Sequence, residues 1–330
     1  MPKIKEPKVA IVIPTHNPRV EVLRETLSQI VRQDYRPIGV YVTNDGSDLP
    51  TAIDIARLSE ELRGSGIDLK ISHYLARRGQ SAAQNIAISA AAKDGCKYLT
   101  FLDEDRGWFG NNHLELLVEA LLRNPEYAAA YTSRQIQIMH QGTVSADFVQ
   151  EAKLLDPLTV WQQSPFFHGV SFVDTNSKFL RMEALLAIGG WNPLIFRKKD
   201  WEFDLRMTAM FWDKAYFPVP EVTTSYSLDL VPKKLRDNLL VRGMVYHLYQ
   251  NHPLMREQVW WPIRKDDPEI IFGLEQRENH GWDVDLVVPG FPEIWPEFLS
   301  RIPENIWLAY DDITGSMPIF SECNPGGFDR

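Results

Sequence analysis

Apolar positions along the chain first fall in short unbroken runs. Val9 to Ile13 is such a run, stopped by Pro14, and Ile38 to Thr43 is another, leading into Asn44-Asp45-Gly46-Ser47-Asp48. Runs of this length without polar alternation suit strands covered on both faces. Between them Val22, Leu23, Leu27, Ile30 and Val31 recur at helical spacing. Glu21 and Glu25 sit early in that helix, where its dipole favours acids, and Tyr35-Arg36-Pro37 ends it. A strand, a helix and a strand so close together predict a right-handed parallel crossover.

The pattern repeats downstream. Residues 51–63 predict a second helix, Gly64 to Gly66 a turn, and residues 69–74 a third strand. Residues 81–92, rich in Ala, predict a helix lying close to the sheet, and Tyr98 to Leu102 a fourth buried strand. Leu114, Leu117, Val118 and Leu121 then give 111–123 one apolar helical face. Strands are expected at 131–139 and 170–179, an irregular segment at 147–167, and a short helix at 183–188 ending at Gly189-Gly190. His168, in the middle of this region, reads as a loop or core histidine. The fold class is therefore α/β, a mostly parallel twisted sheet flanked by helices.

Four strand ends share one rim in such a sheet, and ligands bind outside the carboxyl ends of parallel strands. The rim collects Pro14 to Asn17, Asn44 to Asp48, Ala76 to Gly79 and Asp103 to Asp105. If the fourth strand continues, Asp103 and Asp105 face one side and Glu104 the other. Hard oxygen ligands at such a place suit Mg2+ or Mn2+, completed by phosphate oxygens. The same residue types also make solvated turns and helix caps.

Composition narrows the partners. The chain has 330 residues, 44% hydrophobic and 24% charged, as expected of a globular protein. Its 35 basic and 44 acidic residues give a net charge of −9, which argues against general binding of nucleic acid or anionic membranes. Two cysteines, Cys96 and Cys323, suggest neither a disulfide framework nor a zinc cluster. No leader-like apolar segment opens the sequence, and no apolar run approaches the ~20 residues needed to span a bilayer, so a cytoplasmic location and no transmembrane segment are expected.

Four segments resemble, in order, the motifs of family 2 glycosyltransferases with the GT-A fold. They are Ile11-Val-Ile-Pro-Thr-His-Asn17, Val42-Thr-Asn-Asp-Gly-Ser47, Leu99-Thr-Phe-Leu-Asp-Glu-Asp105, and Ile188-Gly-Gly-Trp191 followed by Lys199-Asp-Trp-Glu-Phe-Asp-Leu205. The resemblance runs from about Val9 to Ser227. It implies a catalytic domain over 1–230, with a nucleotide-binding half at 9–108 and an acceptor half at 109–230, and a C-terminal extension over 231–330. It implies that Pro14 and His16 line the nucleobase and ribose pocket, that Asp45 contacts the base, typically uracil, and that Arg78 holds base or diphosphate. Asp103 and Asp105 match the DxD motif, which touches the nucleotide and a divalent cation, Mn2+ or Mg2+, with Asp105 the preferred direct ligand. Asp200 falls at the catalytic base. Trp191, Lys199 and Trp201 are assigned to the sugar or acceptor pocket, and Asp174 and Asn176 to contact with an acceptor.

The implied reaction moves a sugar from a nucleotide-diphosphate donor, UDP-linked by preference, to a hydroxyl of a saccharide, lipid-linked or small-molecule acceptor. One base and no nucleophile on the far face of the sugar means direct displacement with inversion. Three positions depart from the pattern: Lys199 stands where Glu is usual, Arg106 replaces a frequent third acid, and Gln84 replaces a frequent Arg. These departures leave a catalytically inactive sugar-nucleotide-binding protein as an alternative. A sugar-phosphate nucleotidyltransferase is a further one, against which stands the lack of a Gly-rich basic loop after the first strand. Past Ser227 the chain predicts a helix at 235–249, then a segment rich in Pro and Trp, including Trp260, Trp261, Trp282, Trp295 and Trp307, that wraps the catalytic domain or closes the acceptor cleft. His247, His252 and His280 are possible further metal ligands.

Overall fold

The computed structural model describes residues 6–140, 143–157, 160, 173–193 and 199–229. At its centre lies β1 (Val9–Thr15), buried along its whole length. It pairs in parallel with β2 (Ile38–Asp45) on one side and β4 (Tyr98–Phe101) on the other, Val9 standing opposite both Ile38 and Tyr98. β3 (Asp68–Tyr74) extends the parallel part beyond β2. Past β4 the sheet turns antiparallel through β7 (Lys178–Arg181), β5 (Ala129–His140) and β6 (Thr143–Gln150). β8 (Tyr216–Asp229) returns parallel to β5, with register shifts at Thr132 and Ser133. The strand order is β3-β2-β1-β4-β7-β5-β6, with β8 against β5, so the sheet is mixed.

Side-chain alternation along β1 builds two cores. Val9, Ile11 and Ile13 pack against Leu23, Leu27 and Ile30 of α1 (Val20–Val31), Ile55 and Leu58 of α2 (Leu49–Glu61), and Leu114, Leu117 and Leu121 of α4 (His113–Arg123). Ala10 and Val12 share the opposite core with Ala87, Ile88 and Ala91 of α3 (Gln80–Lys93), Leu185 of α5 (Met182–Ala187), and Phe203 and Met207 of α6 (Lys199–Phe211). The alanines of α3 let its backbone approach the sheet, as their small size predicts. Asp48 caps α2 by accepting from Thr51 N at 2.9 Å, with Pro50 in the first turn.

The parallel half matches expectation to within a residue or two at each end, and further on two expectations do not hold and one strand was not foreseen. The segment expected to be irregular from 147 begins inside β6, an edge strand whose exposed Phe148 and Val149 blur the inward and outward alternation. Of the strand expected at 170–179, residues 173–179 are described, and among them only Lys178 and Phe179 belong to a strand. Ahead of it Thr175–Ser177 is a 3-10 turn, because the Asp174 carboxylate captures Asn176 N at 3.0 Å and so competes with a sheet ladder. β8 was not expected at all, since Pro218 and Pro220 argue against a long strand, and the register shifts near them absorb the conflict. His168, the helix at 235–249, the extension over 231–330 and its Trp and His residues lie outside the described residues. Among the described residues no helix is long and apolar enough to cross a membrane.

Candidate active site

A cleft of about 470 Å³ opens at the carboxyl ends of the parallel strands, lined by Pro14, Thr15, His16, Asp45, Arg77, Gln80, Asp103, Glu104 and Asp105. Its first wall is two loops tied together. Asn17 N donates to Ser47 Oγ at 2.8 Å and Asn17 Oδ1 accepts from Asp48 N at 2.9 Å. His16 Nδ1 lies 2.8 Å from the Asp45 carbonyl, so this nitrogen carries the proton and Nε2 is left as an acceptor. Burial holds the His16 pKa below its ordinary value, with the neighbouring Arg77 charge acting in the same direction.

The Asp45 carboxylate accepts Arg78 N at 2.7 Å and Gly79 N at 2.8 Å, which fastens the loop after β3 to the end of β2. Burial raises its pKa and those two N–H groups oppose the rise. Gly46 makes the approach possible: at φ +72° it sits so close that a Cβ would lie 2.5 Å from Arg77 N. Of the two adjacent arginines, Arg77 lines the cleft, whereas the Arg78 guanidinium stacks 4.6 Å from the Tyr74 ring. The Arg78 backbone N–H is taken up by Asp45, and Arg77 is the arginine whose side chain borders the cleft.

The acidic triplet forms a turn, not a continuing strand. β4 ends at Phe101, and Arg106 N closes back on the Asp103 carbonyl at 3.0 Å. Strand alternation therefore does not place Asp103 with Asp105, and each acid has its own surroundings. The Asp103 carboxylate accepts from Gln80 Nε2 at 3.2 Å and Asn176 Nδ2 at 3.1 Å, and burial raises its pKa while the Lys199 charge lowers it. Glu104 accepts from the Thr15 hydroxyl, and its raised pKa follows from burial. Asp105 is the open one, its side chain 60% exposed and 3.7 Å from Arg106 Nε.

Among the described residues no three His, Cys, Asp or Glu side chains form a ready-made cage. Mg2+ and similar hard ions need none, since one or two carboxylates, substrate phosphates and waters suffice. An exposed carboxylate beside a second one in an open cleft fits that donor set.

Outside that lining, with Lys199 within electrostatic reach of Asp103, stands the N-terminal turn of α6, the second wall of the candidate site. Lys199 Nζ donates to Gln84 Oε1 at 2.8 Å and lies 4.8 Å from the Trp191 ring centroid. Burial pulls the Lys199 ammonium down to about 7, while Asp103 and Asp200 pull it up. Asp200 follows it, partly exposed, and its carbonyl accepts from Lys178 Nζ at 3.3 Å. Asp200 does not belong to the lining of the 470 Å³ cleft; Lys199 is what links the two, being within electrostatic reach of Asp103 and Asp200. One turn on, Asp204 is buried, 2.7 Å from Lys178 Nζ and 2.5 Å from the Tyr216 hydroxyl, and burial pushes its pKa up to about 6.

Two assignments change. Trp191 is 0% exposed, 4.6 Å from the Phe203 ring and 5.0 Å from that of Phe101, so it packs the core and floors no open pocket. Trp201, 5% exposed, is interior too. Their size and lack of charge favour burial wherever a core is within reach. Sequence reasoning had no role for Gln80 and Lys178, and gave Asn176 to the acceptor when its side chain serves Asp103. The one available signal was Asp174-Thr-Asn-Ser177, a capping pattern inside an expected strand.

Comparison with known proteins gives a consistent answer. A curated relative from Rickettsia bellii (strain RML369-C), described as an uncharacterized glycosyltransferase, is 28% identical over 133 residues, or 40% of this chain. The chain spans only 17% of that relative's length. Among solved structures, S. aureus TarS 1-349 aligns with a TM-score of 0.51 at 15% identity, over 91% of this chain and 82% of that one. The mannosyltransferase PcManGT from Pyrobaculum calidifontis, solved with GDP-Man and Mn2+, gives 0.51 at 15% identity, over 94% and 87%. At that identity the likeness concerns the fold, a mixed α/β sheet flanked by helices of the GT-A type. The family model for glycosyl transferase family 2 matches residues 10–185, just over half of the sequence and the whole of the cleft lining, and the chain belongs to that family.

Proposed function

We propose that this protein transfers a sugar, with inversion, from a nucleotide-diphosphate donor to an acceptor hydroxyl, using Asp200 as general base and a divalent cation on the diphosphate. The observation that carries the reading is the convergence of Asp45, His16, Arg77 and the acidic turn on one cleft at the carboxyl ends of adjoining parallel strands. The solved neighbours supply the ligand class, since TarS 1-349 has been crystallised with UDP and with UDP-GlcNAc and PcManGT with GDP-Man and Mn2+.

Each residue has a task the geometry permits. Neutral His16 offers Nε2 as an acceptor to the nucleoside, and Asp45 offers its spare lone pairs to a base N–H, which favours uracil. Arg77 places positive charge by the phosphates. Asp105, with Asp103 behind it, would hold the cation, which when bound neutralises charge developing on the leaving diphosphate. Asp200 takes the acceptor O–H proton as that oxygen attacks the anomeric carbon, and the bond from that carbon to the diphosphate oxygen breaks. Inversion is favoured because the neighbouring acids of α6 are committed elsewhere, Asp204 to Lys178 and Tyr216, and Glu202 to Arg206 at 2.8 Å. They are poor candidates for the nucleophile that retention would require.

Melting temperatures of the full chain with UDP, GDP or TDP, with and without Mn2+, test the donor side, because a ligand bound by the folded form alone raises the midpoint. UDP should stabilise most, and more with Mn2+. Stabilisation by none of the three would overturn the reading. Lys199 in place of Glu favours, as a second reading, a protein that binds the donor without turning it over; UDP stabilisation without release of UDP from any UDP-sugar would select it.

A further inference from the structure

Between the two walls of the site runs one short segment, Asp174 to Lys178, whose side chains reach both ways. Asn176 reaches the acidic turn. Its Oδ1 accepts from Asp103 N at 2.7 Å and its Nδ2 donates to Asp103 Oδ2 at 3.1 Å, so one amide holds the backbone and the carboxylate of the same residue. Asn176 is itself held, its N–H by Asp174 Oδ2 at 3.0 Å and its carbonyl by Trp108 Nε1 at 3.1 Å. With 3% of its surface exposed it is buried, which makes the contact with an acceptor hard to sustain and the contact with Asp103 hard to lose.

Lys178, two residues on, reaches the other wall. Its carbonyl is tied to Thr100 Oγ1 of β4 at 2.8 Å, and its ammonium, fully buried, lies 2.7 Å from Asp204 and 3.3 Å from the Asp200 carbonyl. It thus grips α6 at two points, the first turn at the Asp200 carbonyl and the next turn at Asp204. A buried charge can be kept only where partners replace water, and these partners are the helix that bears Asp200.

We propose that Asn176 and Lys178 are paired positioning residues that fix the acidic turn and the Asp200 turn relative to each other, Asn176 through Asp103 and Lys178 through α6. The proposal rests on the reading of Asp200 as the base. It matters because misplacement of reacting groups by about 1 Å costs on the order of 100-fold in rate.

The two ends should fail differently. Asn176→Leu, alike in branching and in number of heavy atoms but without either hydrogen bond, should lose about 10- to 100-fold of the UDP affinity measured by calorimetry with Mn2+, as supporting residues of metal sites do, and keep the metal-free affinity. Lys178→Met alone leaves Asp204 buried without its counter-charge and risks the fold, so Lys178→Met is combined with Asp204→Asn. That double variant should bind UDP with Mn2+ as the unaltered chain does, at the same stoichiometry. Its kcat for UDP release from the best-hydrolysed member of a UDP-sugar panel should fall by about 10- to 100-fold with the donor KM unchanged. A merely structural role predicts instead a lower binding stoichiometry for both, with no split between Mn2+ dependence and kcat, and that outcome overturns the proposal. So does a pair of variants that bind and turn over normally while Asp200→Asn is inactive. Unchanged turnover in Asp200→Asn would sink the underlying reading and not the positioning argument alone.

Discussion

Lys199→Met should change the pH dependence of stability in a direction opposite to the loss of an ordinary surface lysine. Burial holds the ammonium at about 7 against an ordinary 10.5, so the folded protein gives up this proton more readily than the unfolded chain. Between those two values the unfolded state binds the extra proton, and stability rises with pH. Below about 7 both states are protonated and the folded state bears the full penalty of a buried charge; above 10.5 both are neutral and the penalty is gone. At ~1.36 kcal/mol per pH unit the gap is ~5 kcal/mol as a ceiling, and because Lys199 is partly open to solvent ~2 kcal/mol is the figure to test. Removal also strands the Gln84 amide, a pH-independent cost of about 1 kcal/mol. Melting temperatures of the unaltered chain and Lys199→Met between pH 6 and pH 10 should therefore converge, then cross, the variant being ahead at pH 6 and behind at pH 10. Parallel curves over that range would refute the account of Lys199.

Three other outcomes follow from the geometry. Asp105→Asn should abolish the gain in UDP affinity that Mn2+ brings and leave the metal-free affinity in place, as read by calorimetry. Gly46→Ala forces a left-handed backbone on a residue with a side chain and drives its Cβ into Arg77 N, so it should cost about 1–3 kcal/mol in denaturant unfolding and weaken UDP binding as the two loops part. Trp191→Ala should lower stability by about 3–5 kcal/mol through an unfilled core; a residue flooring the sugar pocket would instead raise donor KM at an unchanged melting temperature.

The nucleotide half could be read from sequence because its signals are local. An apolar run ended by Pro14, an Asp45-Gly46-Ser47 turn and a Gly-free alanine helix each dictate their own conformation within a few residues, and parallel pairing then brings the strand ends together. The second wall depends on contacts far apart in sequence. Asn176 meets Asp103 across 73 positions and Lys199 meets Gln84 across 115, and nothing in either neighbourhood announces the partner. Which of Arg77 and Arg78 borders the cleft is a matter of side-chain packing, the Arg78 guanidinium standing over Tyr74 four positions back. Trp191 shows the reverse error: residue type suggested a sugar platform, and packing put it inside. β8 stayed hidden because two prolines argue against a strand; Pro220 falls where β8 carries extra residues opposite Thr132 and Ser133, which nothing local announces.

The central claim is that Asp200 serves as base for the acceptor hydroxyl that attacks a donor held in the cleft. Release of UDP from a UDP-sugar by Asp200→Asn, measured beside its UDP affinity, tests this most directly. A rate at least about 100-fold below that of the unaltered chain, at unchanged affinity, is the predicted result. Turnover equal to that of the unaltered chain would contradict it.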